Sequence, residues 1–151
     1  MLRQKLSDAL KAAAKSGDKR ALSTIRLILA ALKDRDIAAR GRGQSDGIAE
    51  AEILEMLQKM VKQRHESIEL YRRGQRDDLV RQEEEEIAVI DRFRPQAMDE
   101  AATEAAVSEV MAELEANSIK DMGRVMAALK ERYAGRMDFS KASGIVKSRL
   151  A

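Results

Sequence analysis

Cysteine and tryptophan are absent, proline occurs once, and aromatic residues make up 3% of the 151-residue chain. Without cysteine there can be no disulfide, no thiolate nucleophile and no cysteine-held zinc. A β-sandwich draws on many more aromatic and β-branched residues than this chain offers, so an all-α fold is the expectation. No apolar run approaches the roughly 20 residues needed to cross a bilayer. The first residues also lack the apolar core of a signal peptide. A cytoplasmic protein of bacterial type, with no membrane partner, is the compartment these absences imply.

What is present is charge and aliphatic surface. Hydrophobic residues form 44% of the chain and charged residues 36%, enough for a packed core under a highly solvated exterior. The net charge of +2 conceals an uneven distribution. Residues 1–42 carry 11 Lys/Arg against 4 Asp/Glu, residues 43–117 carry 9 against 19, and residues 118–151 carry 8 against 3. Two basic ends therefore flank an acidic middle. Such segments can simply attract one another within the fold, or a basic end can face a polyanion. Charge alone favours the first.

Apolar spacing lays out about seven helices in two subdomains. Leu2, Leu6, Leu10 and Ala13 form the first stripe, which Gly17 ends, and Asp18 can cap the second helix, through Leu22, Ile25, Ile28, Leu29 and Leu32. After Gly41-Arg42-Gly43, Ser45 or Asp46 is placed to open a long third helix that Gly74 stops. Asp77 or Asp78 begins a fourth, on which Glu83 to Glu86 read as a solvated charge run. The lone Pro95 closes this part, so the expected division is residues 1–95 and 96–151. Asp99 caps a fifth helix ending near Asn117; Ser118 and Asp121 form a variant capping box for a sixth; a short seventh carries Ala142, Ile145, Val146 and Leu150.

The residues that usually carry chemistry do not assemble in the sequence. His65, the single histidine, sits among charged neighbours, and Lys62 stands where a di-iron bundle would place a glutamate. Gly41-Arg42-Gly43 is too short to cradle a nucleotide phosphate. The glutamate run points around its helix rather than converging on a cation. No catalytic residue, metal ligand or cofactor is assigned. Base stacking by aromatics is also poorly served, since only Tyr71, Phe93, Tyr133 and Phe139 are available. Docking to a structured nucleic-acid backbone by shape and charge remains open.

One stretch invites such docking. Gly123 lies in the sixth helix, where glycine costs about 1 kcal/mol relative to alanine. On a helical wheel Gly123 and Ala127 fall away from the apolar face, edged by Lys120, Arg124 and Lys130, with Arg136 beyond the helix end. Such a flat strip of small residues lets a sugar–phosphate backbone approach while cations pair with phosphates. The same strip would accept a closely packed neighbouring helix, and the residues alone favour that reading over RNA.

The stretch "DMGRVMAALKERYAGRMD" (121–138) resembles the Asp-Met-Gly-x-Val-Met…Gly-Arg-x-Asp signature of the GatB/YqeY family. "LSTIRLILAALKDRDI" (22–37), "KQRHESIELYRRGQRDDL" (62–79) and "EIAVIDRFRP" (86–95) follow the family pattern in the same order. The resemblance implies an all-helical fold with a larger N-terminal and a smaller C-terminal part, related to the C-terminal region of the GatB subunit of tRNA-dependent amidotransferases. There the tail helps hold tRNA while the chemistry sits in a catalytic cradle that this sequence does not match. It therefore implies an accessory protein that grips tRNA, or a tRNA-dependent amidotransferase, under a family label of carbon–nitrogen ligase with glutamine as amide donor. Lys120, Gly123, Arg124, Lys130 and Arg136 would carry the RNA contact. A protein–protein adaptor using acidic or methionine-rich helical faces is the alternative.

Overall fold

The computed structural model describes residues 1–151 as seven α-helices with one 3-10 turn and no strand, which is the all-α class. The helices are α1 (Leu2–Ser16), α2 (Lys19–Arg40), α3 (Glu50–Arg73), α4 (Asp77–Asp91), α5 (Glu100–Glu113), α6 (Met122–Tyr133) and α7 (Phe139–Leu150). The chain divides into two compact units, Met1–Arg94 and Pro95–Ala151.

In the first unit α3 and α4 form a hairpin, and α2 packs against both α1 and α4. Leu6, Ile25, Ile28, Leu57 and Ile90 are wholly buried at its centre. The link between α1 and α2 follows local chemistry. Gly17 adopts φ +76°, which costs glycine nothing, and Asp18 accepts a hydrogen bond from the Ala21 N–H at the start of α2.

The start of α3 departs from the sequence expectation. Neither Ser45 nor Asp46 opens it; the helix begins at Glu50 after Ala49. Residues 41–49 instead fold over the end of α2. Asp36 accepts two hydrogen bonds from the Arg3 guanidinium, at 2.7 and 2.9 Å, and a third from the Ile48 N–H at 2.9 Å. Arg3 donates onward to the Ile48 carbonyl, and the Ile48 side chain is buried. Gly47 makes this possible: its φ is +87°, and a Cβ there would stand 2.4 Å from Asp36 Oδ1. The chain is held in this loop by partners 12 and 45 residues away.

The glutamate run needs a second correction. Glu84 and Glu85 are exposed, but Glu86 is 8% exposed. Its carboxylate accepts from Arg64 Nε at 3.1 Å and lies 3.8 Å from Arg20, which also holds Glu85. Successive helical residues are about 100° apart, so four in a row cannot all face water on a packed helix. Burial and the nearby Glu86 push the Glu83 carboxyl above its ordinary range. At the head of α4, Asp77 and Asp78 occupy the first turn rather than the cap, which is Arg76.

The second unit wraps α5, α6 and α7 around Val107, Val110, Val125, Leu129 and Val146, all wholly buried. Met137, absent from the expected core, is equally buried in the α6–α7 link. Asp99 caps α5 through the Ala102 N–H, and Asp138 caps α7 through Ser140 and Lys141. α5 ends at Glu113, short of Asn117. The Met98 N–H donates to the Arg136 carbonyl, tying the entry of α5 to the α6–α7 link.

Candidate nucleic-acid interface

The capping box at Ser118 and Asp121 forms, and it opens a 3-10 turn, Ile119–Asp121, that runs directly into α6. Asp121 gathers the local donors. Its carboxylate accepts from the N–H groups of Asn117 (3.0 Å) and Ser118 (3.2 Å) and from the Arg124 guanidinium at 2.7 Å. The Asn117 N–H, then Arg124, hold its carboxyl down at about 2.

Gly123 is the second residue of α6, not a mid-helix residue, so the full interior penalty of glycine does not apply. It is exposed, and a Cβ added there would meet nothing within 4 Å. Neither α5 nor α7 packs on it, which removes helix packing within the C-terminal unit as the reason for the glycine. Lys120, Gly123, Ala127 and Lys130 are all exposed and succeed one another at three, four and three residues, which places them along one face. Half-exposed Ile119 borders its beginning.

The five candidate residues are not equivalent. Lys120 and Lys130 are exposed and make no ion pair or side-chain hydrogen bond. Arg124 is engaged, pairing with Asp121 and donating to the Leu114 carbonyl at 3.3 Å. Much of its charge is thus spent on closing the α5–α6 turn. Arg136 lies outside α6 and donates through Nε to the Gln96 carbonyl at 3.3 Å. The open strip therefore has two free cations, with two arginines at its margins doing structural work.

A cavity of about 600 Å³ lies elsewhere in this unit, between α5 and α7, lined among others by Met98, Asp99, Glu104, Asp138, Lys141 and Ile145. None of the five candidate residues lines it. Four carboxylates, Glu100 included, stand around it against two cations, Lys141 and Arg149, so its lining disfavours phosphate. In the first unit His65 is exposed beside Glu69 and Arg72, and no three His, Asp or Glu side chains are grouped to hold a metal ion. No helix is long and apolar enough to cross a membrane.

Comparison with known proteins identifies the family. The chain matches the family described as Yqey-like protein over residues 3–150. It belongs to the YqeY family. Among curated proteins it is 34% identical over 94 residues to "Altered inheritance of mitochondria protein 41, mitochondrial" of Lachancea thermotolerans. The match covers 61% of this chain and 48% of that protein. The proteins of the same description from Saccharomyces cerevisiae strains YJM789 and Lalvin EC1118 are each 32% identical over 91 residues, covering 60% of this chain and 47% of theirs. The chain thus spans about half the length of the curated relatives it matches. These YqeY relatives are yeast proteins described as mitochondrial, so the bacterial, cytoplasmic setting expected from composition is not what they display.

Proposed function

We propose that this YqeY-family chain is an accessory RNA-binding protein whose C-terminal unit receives a tRNA backbone on the exposed face of α6, with no catalytic step of its own. The observation that carries this reading is Gly123: it stands in open space, between two unpaired lysines, where nothing in the packing of its own unit asks for a glycine. A face whose central residues are Gly123 and Ala127 allows a ribose–phosphate strand to lie against the helix, and Lys120 and Lys130 flank it to meet the phosphates. Arg124 and Arg136 contribute through their remaining donors while keeping their structural bonds. The family relationship to GatB makes tRNA the RNA class of choice and a glutamine-dependent amidotransferase the system it would serve. The cytoplasm is the setting this implies; the mitochondrial description of the yeast relatives extends the same reading to an organelle, where tRNA is also found.

The test is a filter-binding titration against total tRNA at several salt concentrations. Each lysine that contacts a phosphate releases counterions, so Lys120→Ala and Lys130→Ala are each expected to weaken binding. Each should also reduce the slope of log K against log salt by up to about one. Unchanged affinity and slope in the double variant would overturn the assignment.

A further inference from the structure

Helix α2 buries one side and leaves the other without a partner. Ile25, Ile28 and Leu32 face the core at 4% exposure or less. On the outer side Ser23, Leu27, Ala30, Asp34 and Ile37 are all exposed and follow one another at steps of four, three, four and three residues. That 3.5-residue recurrence is the one by which one helix seats along another. Leu27 and Ile37 remain 48% and 53% exposed and are two of only five large apolar side chains the chain leaves in water. A single exposed leucine means little, but two on one seam, with alanine between them, make a stripe.

A second regularity runs beside the first. Lys19, Arg26, Lys33 and Arg40 recur every seven residues on α2, all exposed. At 1.5 Å per residue they stand ~10 Å apart along one edge of the seam, over a row of ~30 Å. None of the four makes a salt bridge or a side-chain hydrogen bond, and Arg40 acts on Asp36 only at a distance. Arg20, on the same helix, is by contrast paired with Glu85 and Glu86. Part of the basic surplus of residues 1–42 is thus neutralised by the acidic segment through Arg20, but this row is not.

We infer that the outer face of α2 is a docking seam for an acidic amphipathic helix of a protein partner. Residues immediately before the seam positions are those that face the charged flank of a partner helix and select it. Four unsatisfied cations there specify carboxylates at seven-residue spacing on the partner, beside an apolar stripe that covers Leu27 and Ile37. A nucleic-acid backbone would satisfy the cations but bury no apolar surface over those two side chains. An anionic membrane would favour a broad, bulky apolar face, whereas this stripe is narrow and interrupted by Asp34. The inference concerns the N-terminal unit and does not depend on the RNA reading of the C-terminal one.

The probe is a fluorescent three-heptad peptide with leucine at the seam positions and glutamate at the flanking ones, titrated with the full chain. A second peptide has the same composition scrambled to destroy the period. The periodic peptide is expected to bind at least about tenfold more tightly than the scrambled one. Leu27→Ser with Ile37→Ser, and separately Arg26→Glu with Lys33→Glu, are each expected to lose about tenfold in affinity. All four positions are exposed, so circular dichroism should report unchanged helicity. A peptide with lysine at the flanking positions should recover binding to the charge-reversed variant. Equal binding of the scrambled peptide, no binding of either, or indifference to the Leu27/Ile37 replacements would overturn the inference. So would binding of an RNA duplex, or of vesicles containing one part phosphatidylserine to three parts phosphatidylcholine, in place of the peptide and unaffected by those replacements.

Discussion

Asp36 shows how a single carboxylate can fix a loop. The Arg3 guanidinium beside it, with help from the Ile48 N–H, holds its carboxyl down at about 2, against an ordinary value of 3.8. Because the folded value is the lower one, the unfolded chain binds more protons at this site in mildly acid solution. The stability Asp36 contributes is therefore fully present above about pH 4 and is lost as the pH falls through about 2. Asp36→Asn should destabilise the protein by about 1–3 kcal/mol at neutral pH, since it weakens a charge-assisted pair and leaves Arg3 half satisfied. Urea denaturation of both proteins from pH 7 to pH 2 should show that gap narrowing below pH 4. A gap that stays constant would mean that Asp36 acts through packing alone.

The helices themselves were largely legible from apolar spacing, because each buries one stripe and the caps at Asp18, Asp99 and the Ser118–Asp121 box use local hydrogen bonds. What local patterns could not reveal was set by distant partners. Ser45 and Asp46 look like caps, yet the chain there is held by Asp36 and Arg3. Glu86 looks solvated, yet Arg64, 22 residues earlier, draws it inward. The cation row on α2 is visible as a seven-residue spacing, but a charge sum over the segment hides it. Gly123 was legible as an oddity, while its open surroundings required three dimensions. Two helix ends carry strain that spacing also did not betray. α3 is followed by Gln75 at φ +57° and α5 by Glu115 at φ +52°, both left-handed positions that favour glycine. At the first of these the glycine stands one residue early, Gly74 having φ −84°. Gln75→Gly and Glu115→Gly should therefore each raise stability by up to about 1 kcal/mol, read as an upward shift in thermal midpoint. A fall in midpoint would show that those side chains hold contacts worth more than the strain.

At the scale of the whole molecule two cores lie on either side of the single proline, each closed by its own helices. Brief digestion with a broad-specificity protease is expected to cut first between Arg94 and Met98, leaving two helical fragments. First cleavage within residues 48–72 would contradict that division. The central claim, that the bare face of α6 receives an RNA backbone, is tested most directly by Gly123→Gln, with thermal stability and tRNA affinity measured on the same preparation. The site is open, and glutamine is the better helix former, so the melting temperature should hold or rise slightly. The added side chain should meanwhile keep the backbone away, and tRNA binding should fall alongside that of Lys120→Ala. A stable Gly123→Gln variant that binds tRNA as tightly as the parent would contradict the account.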